Sequence, residues 1–230
     1  MITDFSNREK ECFTFLKLIP KEKQYVIIGG YAVTSFGFPR FSVELDITIP
    51  ESELPFFKKA LSDNDFVFTK GKDDLLYSGK FERYEKGLVS IDLLINGVSS
   101  RQTGYLYPFQ YLFKNSQIRE TSGWDPLNKV KARIAKKEML IALKIHSMRM
   151  TDKRDVIMLC YEIPNIRIII NHLENSPKEK IIEHVNDLLA NLNEKNLRDS
   201  IKGVYSIDDK IYKKTIENCQ KTMNEIKERI

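Results

Sequence analysis

An apolar strand that runs into a double glycine, followed by a second strand with two carboxylates, constrains this chain most. The segment reads VIIGGYAVTSFGFPRFSVELDITI. Because residues i and i+2 of a strand point to the same face, Glu44 and Asp46 project together. Two carboxylates on one face repel each other unless a cation lies between them, and their oxygens suit Mg²⁺, which carboxylates hold together with substrate phosphates. The glycines allow a backbone to approach such phosphates closely.

A third carboxylate lies in a later apolar segment, Leu88–Ile95 (LVSIDLLI). Burying Asp92 there without a partner costs free energy, so something must compensate its charge. If Asp92 faces the same way as Glu44 and Asp46, three carboxylates meet, and without a metal they raise each other's pKa. We therefore expect a cation site. The alternatives are an edge or turn position for Asp92 and a solvated strand face for the other two residues.

The segment resembles the signature of the nucleotidyltransferase superfamily of DNA polymerase β type, in which a glycine pair precedes an acid–apolar–acid strand. The resemblance is strongest to the minimal, toxin-type branch (type IV toxin–antitoxin-like), whose motif the chain matches at Gly29, Gly30, Arg40, Ser42, Glu44 and Asp46. Ser42 replaces the usual Thr and keeps the hydroxyl. Glu44 replaces the usual first Asp, keeps the charge and has a longer reach.

The resemblance implies an α+β fold, with a mixed sheet flanked by helices and an α-helical C-terminal region. It implies that Glu44, Asp46 and Asp92 are catalytic and bind two Mg²⁺ ions, which activate the acceptor hydroxyl and neutralise the triphosphate. Gly29 and Gly30 would offer backbone N–H groups to the phosphates of a nucleoside triphosphate (NTP) such as ATP.

Two neighbouring side chains have open interpretations. Arg40 either binds a phosphate or pairs with Glu44 or another acid. Ser42 either binds a phosphate oxygen or satisfies a backbone group.

The apolar period changes from about residue 135, where AKKEMLIALKIHSMRMTDKRDVIMLCYEI predicts a helix, and most of the following chain is also helical. We expect an α/β nucleotidyltransferase core at 1–120 and a helical domain at 121–230. Lys144 and Asp155 resemble conserved positions of toxin-type enzymes, and Lys144 would place a point charge on the nucleotide phosphates. The alternative for Lys144 is a solvated helix face.

Composition narrows the class of protein. The chain has 230 residues, 42% hydrophobic and 30% charged, with no apolar run of membrane-spanning length. The lack of such a run predicts no membrane partner. The three cysteines of the chain have neither metal-site nor disulfide spacing, which predicts a cytoplasmic protein. The net charge of +5 is compatible with an RNA or nucleotide partner.

The expected activity is Mg²⁺-dependent transfer of a nucleoside monophosphate (NMP) from an NTP to a hydroxyl of tRNA or other RNA, a protein or a small molecule. The resemblance to the toxin-type branch implies a cognate antitoxin protein as a partner. Two alternatives stay open: a non-catalytic nucleotide- or RNA-binding module with this fold, and an interaction protein whose helical half docks a partner. Aromatic residues in 101–124, Trp124 among them, either stack on bases or pack internally.

Overall fold

The structure is a computed structural model that describes residues 2–74 and 79–230. Its contacts divide the chain into two units: Met1–Ser99 with Leu106–Lys136, and Ser100–Tyr105 with Lys137–Ile230. The described helices of the first unit are α1 (Ile2–Leu18), α2 (Gly29–Thr34), α3 (Leu54–Ser62) and α4 (Phe109–Lys114), with a 3-10 turn at Glu51–Glu53. Its described strands are β1 (Val26–Ile28), β2 (Glu44–Ile49), β3 (Val67–Asp74), β4 (Gly79–Lys86), β5 (Val89–Ile95), β6 (Gly97–Ser99), β7 (Leu106–Pro108), β8 (Ser116–Ser122) and β9 (Lys129–Ala135).

Seven of these strands form one mixed sheet in the order β3-β4-β5-β2-β1-β9-β8, and β6 pairs with β7 separately. The pairs β2–β5 and β1–β9 are parallel, whereas the other pairs in the sheet are antiparallel. β8 crosses the division expected at residue 120 and β9 follows it, and both belong to the sheet of the first unit because β9 pairs with β1 and with β8. The segment 75–81 (LLYSGKF) also predicts a strand, part of which lies outside the described residues.

Alternation along the central strands separates a core face from a polar face. On β2, Leu45, Ile47 and Ile49 are completely buried. They lie in register with the buried residues Ile91, Leu93 and Ile95 of β5. Because side chains alternate along a strand, Glu44 and Asp46 point to the opposite face. The buried rings of Phe15 and Phe57, on α1 and α3, lie 6.4 Å apart and supply aromatic packing to the core.

The loop between β8 and β9 is anchored by a buried carboxylate on α1. Glu9 is 1% exposed and accepts hydrogen bonds from the backbone N–H groups of Trp124 (2.6 Å) and Asp125 (3.0 Å) and from Asn128 Nδ2 (3.1 Å). A side chain on Gly123 would collide with this carboxylate. The loop geometry therefore depends on a buried carboxylate of α1, a helix for which the sequence at 7–18 predicts only an amphipathic character.

The second unit is helical. Its described helices are α5 (Lys137–Ser147), α6 (Met150–Leu159), α7 (Ile166–Leu173), α8 (Lys178–Asn191), α9 (Lys195–Tyr205) and α10 (Asp209–Arg229). The continuous helix expected from residue 135 is instead broken at Met148, whose φ of +43° is left-handed. Arg149 then caps α6, since its backbone N–H and its side chain both donate to Asp152.

Among the described residues, no helix combines the length and apolar character needed to cross a membrane.

Candidate active site

The predicted carboxylates meet on the polar face of the sheet. Asp46 of β2 lies in register with Asp92 of the parallel strand β5, and with Ile28, which directly precedes the double glycine, on β1. One ligand oxygen each from Glu44, Asp46 and Asp92 lies within 4.8 Å of the others. Asp92 is buried and the other two are half-buried. The register of β2 with β5 therefore brings together the three carboxylates that the sequence motifs predict to form one cluster.

An arginine that the sequence interpretation missed lies within this cluster. Arg83 of β4 is in register with Asp92 and donates to both of its carboxylate oxygens, Nε to Oδ1 and Nη2 to Oδ2, at 2.8 Å each. The same Nη2 donates to Glu44 Oε1 at 2.5 Å. The guanidinium therefore bridges two of the three carboxylates.

The guanidinium of Arg83 is positively charged in this environment. Its hydrogen bonds to Asp92 and the charges of Asp92 and Glu44 raise the pKa of the guanidinium above its ordinary value, against the opposing effect of burial. The sequence argument that the carboxylates need a metal is thus incomplete, because the chain supplies one cation itself. A local signal existed: the turn at Gly87-Leu88 pairs Lys86 with Val89, and three residues further this register brings Arg83 opposite Asp92.

The double glycine leaves room for the side chains of the neighbouring strand and its entrance. A Cβ on Gly29 would lie 1.9 Å from Asp46 Oδ2, and a Cβ on Gly30 would lie 2.2 Å from Ser42 Oγ. Gly29 also has φ +67°, a left-handed conformation that favours glycine. Both glycines are therefore required for packing, whatever else their N–H groups bind, and the predicted phosphate contact stays a prediction.

Arg40 and Ser42 lie on the segment that enters β2. The Ser42 hydroxyl donates to the Glu44 carbonyl at 3.1 Å, and the Ser42 carbonyl accepts from the Tyr31 hydroxyl at 3.1 Å. Arg40 Nη1 donates to the Phe41 carbonyl at 2.9 Å. Ser42 thus satisfies a backbone group here, which was one of its two interpretations. A phosphate contact at either residue stays a prediction.

Lys144 lies in the second unit and is 7% exposed. Its ammonium contacts Asp152 Oδ1 at 3.0 Å and Asp155 Oδ2 at 2.6 Å, and the Tyr205 hydroxyl donates to Asp155. Burial raises the pKa of Asp152, but Lys144 and Arg149 outweigh this effect and lower it to about 2. Lys144 is thus the centre of a buried ionic cluster rather than part of a solvated face, and its predicted phosphate role stays a prediction.

The donor set of the carboxylate cluster fits a hard divalent cation. Three carboxylates on rigid strands offer oxygen ligands and a net negative charge even after Arg83 is counted. Arg83 occupies both oxygens of Asp92 and one oxygen of Glu44. The guanidinium must therefore move before a metal can bind these oxygens, and Asp46 supplies the third carboxylate.

One comparison with a solved structure supports the fold. The structure is similar to the solution structure of the antibiotic-resistance factor ANT(2'')-Ia, with a TM-score of 0.50 and 12% identity over 81% of this chain and 99% of that one. A second match, to the STING-associated c-di-GMP synthase CdnE from Capnocytophaga granulosa, has a TM-score of 0.22 and 13% identity over 98% of this chain and 81% of that one. No protein-family model and no curated protein sequence matches. The mixed sheet followed by helices is the polymerase β-like nucleotidyltransferase fold, as predicted.

Proposed function

We propose that this chain is a Mg²⁺-dependent nucleotidyltransferase that moves an NMP from an NTP to an acceptor hydroxyl and releases pyrophosphate. The observation that carries the proposal is the meeting of Glu44, Asp46 and Asp92 on one face of a polymerase β-like sheet. These carboxylates would hold the metal, which when bound polarises phosphoryl oxygens and lowers the pKa of an acceptor hydroxyl.

The chain's own groups position the reaction rather than take part in covalent steps. Phosphoryl transfer needs mainly orientation and charge stabilisation, so it requires no protein nucleophile. The buried strands fix the carboxylate of Asp46 against Gly29, which restricts the direction in which its oxygens point. Arg40, Ser42 and the two glycines are the residues we propose for the nucleotide phosphates, on the strength of the motif they match.

We further propose an RNA acceptor and a protein partner for this activity. The toxin-type motif favours tRNA or another RNA as the acceptor, in agreement with the net charge of +5. A protein or a small molecule is the next candidate, and a cognate antitoxin would be the protein partner.

One observation favours a second candidate function, a nucleotide- or RNA-binding module without turnover. Arg83 neutralises part of the cluster, and a guanidinium bound to both oxygens of Asp92 can serve as a permanent structural link. Metal binding separates the two candidates, because a permanent link excludes a divalent cation from Asp92.

The experiment is incubation of the purified chain with Mg²⁺, each α-³²P-labelled NTP in turn and total tRNA, alongside Asp46→Asn. Label on RNA that Asp46→Asn abolishes supports RNA nucleotidyl transfer and identifies the base. Label on the chain or on an added protein indicates a protein acceptor. A fully active Asp46→Asn variant refutes the metal site. Calorimetric binding of NTP or RNA that needs no Mg²⁺, together with the absence of label on any acceptor, favours the binding module.

A further inference from the structure

Arg83 contacts oxygens that a metal would also use. Its guanidinium donates to both oxygens of Asp92 and to Oε1 of Glu44, through three hydrogen bonds of 2.5–2.8 Å. A planar guanidinium that binds a carboxylate through two parallel N–H groups is among the stronger ion pairs in proteins. Divalent metal and Arg83 therefore compete for the same lone pairs.

The surroundings hold Arg83 in this position. The side chain of Asp92 is 6% exposed and that of Arg83 is 26% exposed, so solvent screens this pair much less than a surface ion pair. The antiparallel register of β4 and β5 fixes Arg83 and Asp92 as direct neighbours. Leaving Asp92 without a counter-charge is costly, so Arg83 leaves only when another cation replaces it.

In the position where it binds Asp92 and Glu44, the guanidinium also contacts an aromatic ring of its own strand. The guanidinium carbon of Arg83 lies 5.9 Å from the ring centroid of Phe81, within the range of a cation–π contact. This ring contact does not use the carboxylate oxygens, so the loss of the hydrogen bond to Glu44 does not by itself remove it. A triphosphate would offer the released guanidinium further acceptors, because its geometry matches phosphate oxygens.

We propose that Arg83 is an internal counter-cation that divalent metal must displace from Glu44 and Asp92, which couples metal entry to nucleotide binding. The proposal rests on the proposed function. Without nucleotide, the metal gains carboxylate ligands but must leave Arg83 without its partners. With nucleotide, the triphosphate supplies both ligands for the metal and acceptors for Arg83, so metal and nucleotide bind cooperatively.

The test is binding of Mn²⁺ alone, followed by the electron paramagnetic resonance signal of the free ion, with and without α,β-methylene analogues of the four NTPs. We expect Arg83→Gln to bind Mn²⁺ at least about tenfold more tightly than the unmodified chain, and to lose most of the nucleotide enhancement. Arg83→Lys keeps the charge without the two parallel hydrogen bonds and should bind with intermediate affinity.

Lys80→Gln is the matched control. Lys80 lies on the same strand and forms an exposed pair with Glu51 at 2.7 Å, so its loss removes the same charge away from the cluster. Its Mn²⁺ affinity should stay within about twofold, because exposed charges are well screened. Circular dichroism checks that each variant is folded.

The outcomes separate this proposal from the proposed function. Unchanged or weaker Mn²⁺ binding in both Arg83→Gln and Arg83→Lys overturns the competition, provided that Asp46→Asn abolishes binding and so identifies the metal site. If neither the unmodified chain nor Arg83→Gln binds Mn²⁺, with or without nucleotide, both proposals fail. If Lys80→Gln and Arg83→Gln increase the Mn²⁺ affinity equally, the increase comes from the change in net charge alone, and the proposal is overturned.

Discussion

The carboxylate of Asp46 lies directly against the backbone of Gly29. A Cβ at Gly29 would lie 1.9 Å from Asp46 Oδ2 and 2.8 Å from its Cγ. The space that Asp46 occupies therefore depends on the absence of a side chain at Gly29, although 17 positions separate the two residues in the chain. Glycine is needed at this position to make room for the Asp46 carboxylate, whether or not its N–H group also binds a phosphate.

Replacing Gly29 with Ala should disturb both stability and the carboxylate cluster. The new methyl group collides with Asp46, and φ of +67° is strained for alanine. We expect a loss of about 1–3 kcal/mol in the free energy of unfolding by urea, together with weaker Mn²⁺ binding. Gly203→Ala is the control: Gly203 is in helix α9 with open space around it, so alanine should be neutral or stabilising. Equal stability and metal binding in Gly29→Ala would contradict the steric argument.

Replacing Lys144 with Met should destabilise the second unit strongly. The variant leaves Asp152 and Asp155 buried without the ammonium that contacts both. Breaking a buried ion pair from one side costs about 3–5 kcal/mol, so the urea midpoint should fall well below that of the unmodified chain at pH 7. Lys202→Met removes a cation paired with the exposed Asp209 and should change the midpoint little. If the two variants unfold alike, the buried cluster contributes no stability.

Stability should fall as pH decreases from about 6.5 to 4, because of His146. This side chain is 1% exposed; its Nδ1 lies 2.7 Å from Thr103 Oγ1, and its Nε2 lies 3.0 Å from Ser176 Oγ. Burial, together with the nearby His184, lowers the pKa of His146 from 6.5 to about 4. The unfolded chain therefore binds a proton in this window that the folded chain does not, so folding is favoured less as pH decreases.

Urea unfolding at pH 7, 5.5 and 4.5 measures this effect, which should amount to about 3 kcal/mol over the window. His146→Gln should be less sensitive to pH than the unmodified chain between 6.5 and 4.5. Asp152 acts in the same direction but only below about pH 4, since its pKa is lowered from 3.8 to about 2. A histidine resonance assigned to His146 that titrates near pH 6.5 would refute the explanation.

Trp124 should report nucleotide binding by its fluorescence. It is the only tryptophan of the chain and is 47% exposed. Its ring stacks on Phe41 at 4.8 Å with an interplanar angle of 21°. Phe41 lies between Arg40 and Ser42, two residues proposed for the phosphates, so occupancy of that segment should change the emission. We expect saturable quenching by Mg²⁺–NTP in the unmodified chain and none in Asp46→Asn. Calorimetric binding without any change in emission would show that the stack is remote from the nucleotide.

Local spacing was enough to predict the centre of the first unit. The strand before the double glycine, the same-face arrangement of Glu44 and Asp46, and the buried strand around Asp92 depend on residues a few positions apart. The helical character of the second unit also followed from its apolar period. The break at Met148 did not, because a single left-handed residue leaves that period almost unchanged.

Contacts between distant segments decided the rest. The sequence of α1 does not reveal that Glu9 is buried, since the groups that bind it lie more than 110 residues away in the loop between β8 and β9. The sequence predicts either a phosphate contact or a solvated helix face for Lys144, and neither interpretation includes its buried contacts with Asp152 and Asp155. In each case the charge is stabilised by partners that only the folded chain brings near.

The carboxylate cluster depends partly on local sequence and partly on the tertiary structure. The sequence by itself determined that Glu44 and Asp46 share one face of their strand, because the alternation of side chains along a strand is local, whereas the register of β2 with β5 placed Asp92 beside them. Only the tertiary structure decided that Arg83 bridges Asp92 and Glu44, because β5 must lie between β4 and β2 before one guanidinium can contact both. Strand order is set by the packing of the whole sheet, and the charge balance of the site follows from it.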